Sequence, residues 1–112
     1  MSTVKPFSRS NSSLDVSPAE ADYDAVIHAT LTIRNANGQP VPGVQVEWSE
    51  RDGKKQIEIE NPTNATDANG RATCEVRNGT VPIKPGLGGK GTLQAFIGDE
   101  YFHADVSFRD KQ

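Results

Sequence analysis

Residues 30–48 read TLTIRNANGQPVPGVQVEW: an alternating run, a polar turn and a second alternating run. Side chains in a strand point to opposite faces in turn, so Leu31 and Ile33 share one face while Thr30, Thr32 and Arg34 share the other. Extending the run back to residue 24 (DAVIHATLTIR) adds Ala25, Ile27 and Ala29 to the apolar face. After the turn, VQVEWS (44–49) sends Val44, Val46 and Trp48 inward and Gln45 and Glu47 outward. Between the two runs, Asn35 stands first and Gly38 fourth in a four-residue type I turn, where Asn caps the backbone and Gly tolerates the left-handed conformation. The same device returns as Asp67…Gly70 in ATDANGRATCEV (65–76).

The alternation continues in both directions. Ile57 and Ile59 alternate with Lys and Glu in KQIEIEN (55–61), the pattern of a short, charged edge strand. RATCEVR (71–77) turns Ala72, Cys74 and Val76 inward, GTLQAFIG (91–98) turns in Leu93, Ala95 and Ile97, and YFHADVSFR (101–109) turns in Phe102, Ala104, Val106 and Phe108. A first strand around Leu14 and Val16 brings the expectation to about seven or eight strands, separated by turn clusters every ~8–12 residues. No stretch of comparable length carries a helical period. The expected fold is all-β, an antiparallel β-sandwich with Leu31, Ile33, Val46, Trp48, Cys74, Leu93 and Val106 in its core. Residues 1–12, mostly Ser, Thr, Asn, Lys and Arg, are expected to form a flexible leader or linker, the domain is expected over 13–109, and 110–112 form a polar tail.

One domain is what 112 residues allow. With 12 basic and 15 acidic residues the formal net charge is −3, and no basic cluster offers itself to nucleic acid. No apolar run approaches the ~20 residues of a membrane-spanning helix, so no membrane insertion is expected. The opening MSTVKPFSRSNSS lacks the apolar stretch of a signal peptide, which suggests either an intracellular chain or a piece of something larger. Cys74 is the sole cysteine and excludes an intrachain disulfide.

The motifs that could carry chemistry fail on context. A calcium loop counted from Asp67 needs Gly at its sixth position and Glu at its twelfth, where the chain has Ala72 and Asn78. GLGGKG (86–91) satisfies the dinucleotide glycine spacing but leads into a strand, whereas that fingerprint must open a helix. His28 and His103 lie on outward faces, and Asp105 shares the face of His103, yet no nucleophile or third ligand joins them. The sequons at Asn11, Asn64 and Asn78 receive no role. No catalytic residue, cofactor site or metal site is assigned.

Taken together, ATLTIRNANGQPVPGVQVEWS, ATDANGRATCEV and GTLQAFIGDEYFHADVSF resemble the bacterial immunoglobulin-like domains repeated in invasin- and intimin-type adhesins. A weaker likeness, to transthyretin-like sandwiches, rests on the G-x-P-V-x-G run. The first resemblance covers about residues 13–109. It implies an immunoglobulin-like sandwich of two sheets with Trp48 packed centrally and Cys74 serving as a small hydrophobe. It also implies a monomeric, non-catalytic spacer in an extracellular or cell-surface protein, with neighbouring domains as partners. The alternative is a stand-alone or phage virion-surface module, virion-borne or cytoplasmic, that recognises a protein or glycan. The long 77–91 connection would serve it through Val81, Ile83, Lys84, Leu87 and Lys90, unless its apolar residues only cap the open end of the sandwich, or the outward aromatics Phe96 and Tyr101 would.

Overall fold

The alternating runs become eight strands in a computed structural model, which describes residues 7–51, 56–79, 86–98 and 100–111. They are β1 Ser13–Ser17, β2 Glu20–Asp22, β3 Val26–Thr32, β4 Glu47–Glu50, β5 Ile57–Glu60, β6 Arg71–Asn78, β7 Lys90–Ile97 and β8 Glu100–Arg109. Two four-stranded sheets face each other, ordered β1-β3-β6-β5 and β2-β8-β7-β4. The registers put the inward residues of neighbouring strands side by side: Leu31 opposite Ala72, Ala29 opposite Cys74, and Ala95 opposite Phe102. Large side chains thus alternate with small ones across the interior, which lets the two sheets interdigitate.

The core has two halves. One gathers Leu31, Ile33, Val41, Val44, Val46, Ile97 and Phe102; the other gathers Ile27, Ile57, Cys74, Val76, Leu93, Val106 and Phe108. Trp48 packs against both, but it is half-buried rather than enclosed. Strand β4 is a sheet edge, and the Trp48 indole N–H reaches sideways to donate to the Thr63 carbonyl at 2.9 Å. A ring that needs a polar partner sits where core and solvent meet.

Three features depart from the sequence pattern. Strand β2 pairs with β8 in parallel, joining Ala21 to Phe108, so the second sheet is mixed. The run from 13 to 22 is interrupted at Pro18, which has no N–H to donate, and the chain crosses there from one sheet to the other. The regular part of the strand expected at 44–49 begins only at Glu47, because residues 44–46 turn to the opposite side and pair with 64–66. Finally, residues 7–12 lie against the sandwich although the sequence places them in a leader. Ser8 N–H donates to the Arg34 carbonyl at 2.7 Å, the buried Ser12 hydroxyl donates to the Ser8 carbonyl, and the Arg9 guanidinium covers the Phe102 ring at 3.9 Å.

Those contacts fix where the chain comes in and goes out. Residues 7–12 meet the pole that holds the 35–38 and 67–70 turns and the start of β8. Residues 109–111 leave from the opposite pole, beside the 86–89 segment. The body between them measures 47 × 24 × 21 Å.

Candidate binding surface

The repeated turns are built alike. Asn35 Oδ1 accepts the N–H groups of Asn37 (2.9 Å) and Gln39 (3.0 Å), while Gly38 N–H returns to the Asn35 carbonyl. Asp67 Oδ1 accepts Asn69 N–H (2.8 Å) and Arg71 N–H (3.1 Å), and Gly70 N–H returns to the Asp67 carbonyl. Both glycines hold positive φ, +80° and +74°. In each turn the first residue's Oδ1 is engaged with two backbone donors, the pattern of a reversal with its own cap. Their surroundings differ: Gly38 is open, while Gly70 is buried against the Ile33 carbonyl and Pro40.

The long connection divides differently from its outline in sequence. Arg77 and Asn78 belong to β6, Lys90 and Gly91 to β7, and Val81, Ile83 and Lys84 lie outside the described residues. Its second half is anchored by Asn78, whose buried amide donates to the Leu87 carbonyl (2.8 Å) and accepts Gly89 N–H (3.2 Å). That segment in turn holds the outgoing chain. Phe108 N–H donates to the Gly89 carbonyl, Lys111 N–H to the Gly86 carbonyl, and Gly88 N–H to Asp110 Oδ1 at 2.7 Å. At Gly88 a Cβ would stand 1.9 Å from the Phe108 carbonyl oxygen, so the glycine of GLGGKG serves a close backbone approach. Leu87 and Lys90 are exposed beside it.

The outer face of β4, β7 and β8 is the other candidate. Registers align Glu47, Phe96 and Tyr101 in one row and Ser49, Gln94 and His103 in the next. Phe96 and Tyr101 have ring centroids 4.6 Å apart, and Tyr101 lies parallel to His103 at 6.2 Å. Gln94 joins the second row, accepting from His103 Nε2 (2.9 Å) and donating to Ser49 Oγ (3.2 Å). Asp105 instead accepts from Thr92 (2.8 Å), so it does not pair with His103. Around the β4 edge these residues continue into a groove of about 630 Å³ that Trp48 and Asn64 also line.

Cys74 is buried between Ala29 and the opposite sheet. Burial, with a smaller push from the neighbouring Glu75 carboxylate, raises its thiol from 9.0 to about 12. A thiol so raised is protonated at neutral pH and is a poor nucleophile. Among the described residues no three His, Cys, Asp or Glu side chains converge on a metal-sized point.

The model for the family described as bacterial Ig-like domain (group 1) matches residues 9–86. No curated protein matches the chain. Among solved structures, the Yersinia pseudotuberculosis adhesin InvE is 24% identical with a TM-score of 0.64, over 90% of this chain and 27% of that one. The Escherichia coli adhesin FdeC is 13% identical with a TM-score of 0.71, over 96% of this chain and 33% of that one. The D0–D1 domain of intimin is 21% identical with a TM-score of 0.67, over 86% of this chain and 46% of that one. At these identities the likeness is one of fold, and the chain spans less than half the length of each structure.

Proposed function

Because the chain belongs to the bacterial Ig-like domain (group 1) family, with 9–86 of its 112 residues matched, we propose that it is a non-catalytic module that spaces neighbouring domains in a bacterial cell-surface protein of adhesin type. The observation that carries this reading is the position of its ends. Residues 7–12 lie at one pole and residues 109–111 at the other, and hydrogen bonds hold both segments to the sandwich. Neighbours attached to these ends would be kept apart by the length of the body, and the next domain would meet Leu87 at the outgoing pole.

The strand pairing suits tension along that line. Pulling residue 7 one way and residue 111 the other slides β2 along β8, its parallel partner, and β1 along β3. In this geometry all bonds of a pair bear the force together, whereas a hairpin pulled from its open end loses them one by one. The exposed Arg109 guanidinium, 2.8 Å from Asp22, crosses the β2–β8 seam.

Single-molecule pulling tests the proposal. The domain pulled through residues 7 and 111 should open at clearly higher force than the same domain pulled through residues 90 and 111, which unzips β8 from β7 at the open end of their hairpin. Equal forces would remove the mechanical role. In source cells, antibody to the domain should find a polypeptide much larger than 12.1 kDa in the envelope fraction; a soluble species of 12.1 kDa would contradict the spacer.

A further inference from the structure

A spacer needs no concave aromatic surface, yet this domain has one. The groove at the β4 edge brings together Trp48, Phe96 and Tyr101 with the amides of Gln94 and Asn64 and the carboxylate of Glu47. Tyr101 is one of two large apolar side chains that stand exposed among the described residues, at 49%. Its ring is steadied by Phe96, 4.6 Å away and tilted to it, and by the parallel His103 ring at 6.2 Å. Gln94 is fixed in turn by His103 and Ser49, so its polar atoms point in set directions before any ligand arrives. Pre-oriented hydrogen-bonding groups beside rigid rings are how a small number of contacts gain specificity.

The charge of the groove narrows the ligand. No lysine or arginine is among its described lining residues, and Glu47 is its one ionised group. An acidic sugar or an acidic peptide would be repelled at short range. Adjacent rings with amide and hydroxyl groups in the neighbouring row match a ligand that offers flat C–H faces and many hydroxyls. We infer that the β4–β7–β8 face binds a neutral oligosaccharide, with a sugar ring stacked on Tyr101 and its hydroxyls held by Gln94, Asn64 and Glu47. The site lies on the outer flank of the second sheet, toward the incoming pole and clear of the outgoing one.

The test is an NMR titration of the whole domain with lactose, maltotriose and chitotriose as neutral probes, sialyllactose as the acidic probe and a lysine-rich peptide as the cationic one. At least one neutral probe should shift the amide signals of Glu47, Gln94, Phe96 and Tyr101 and change the Trp48 emission. Tyr101→Ala should weaken that binding at least tenfold, and Gln94→Ala should weaken it independently should the first variant lose its fold. Absence of binding by all three neutral probes overturns the inference. So does equal binding of sialyllactose, selective binding of the lysine-rich peptide, or unchanged affinity in folded Tyr101→Ala.

Discussion

Replacing Asn78 by Ala tests how the outgoing pole is held together. The bonds to the Leu87 carbonyl and from the Gly89 N–H are lost, and the two backbone groups fare differently. Leu87 is 39% exposed, so water can reach its carbonyl, whereas Gly89 is buried and its N–H is left dry. An unsatisfied buried donor costs about 1–3 kcal/mol, and the small void left by the amide adds to that. The expected loss is therefore about 2–3 kcal/mol, read as a lower urea midpoint with unchanged slope. For a chain of this length that corresponds to roughly 4 °C of Tm per kcal/mol. Hydrogen exchange should localise the effect, since the amides of Gly88, Phe108 and Lys111 depend on the segment that Asn78 anchors. A loss below about 0.5 kcal/mol, or faster exchange spread evenly over both sheets, would refute the assignment of Asn78 as the anchor.

Other substitutions probe the rest of the fold. Gly38→Ala and Gly70→Ala both force a Cβ into the left-handed region at about 1–2 kcal/mol, but only Gly70→Ala also drives that Cβ to 2.5 Å from the Ile33 carbonyl oxygen. Chemical denaturation should show Gly70→Ala as much the more destabilising of the two. Trp48→Ala should cost about 2–3 kcal/mol, below the ~3–5 of an enclosed aromatic, and folded Trp48 should emit between the buried and solvated limits. Cys74 gives a pH prediction. The unfolded thiol ionises near 9.0 while the folded one holds its proton to about 12, so above pH 9 the unfolded state binds fewer protons. Stability should then fall by about 1.4 kcal/mol per pH unit between those values, and Cys74→Ala should lack that contribution. An identical alkaline slope in Cys74→Ala would exclude the thiol as its source.

Much of this was legible because strand faces repeat every second residue. The inward sets Ile27-Ala29-Leu31-Ile33 and Leu93-Ala95-Ile97 are buried, and Phe96 and Tyr101 fall on outward positions by the same rule. Asn78 was legible in principle: it continues the inward series Ala72-Cys74-Val76, and a polar residue at a core position announces a buried hydrogen bond. Strand β2 was not, since three residues with Ala21 alone inward carry no period. Nor was the docking of residues 7–12, whose partners Arg34 and Phe102 are remote in sequence. The half-burial of Trp48 depends on which strand becomes a sheet edge, a matter of topology that alternation does not encode.

The two opposite poles have a further consequence, in length. Residues 7 to 111 occupy a body 47 Å long, yet the same chain drawn straight would reach about 350 Å at roughly 3.4 Å per residue. The folded domain therefore holds most of its contour length in reserve. In the proposed spacer role, yielding of the seam would release about 300 Å of chain at once and let the tension across it fall.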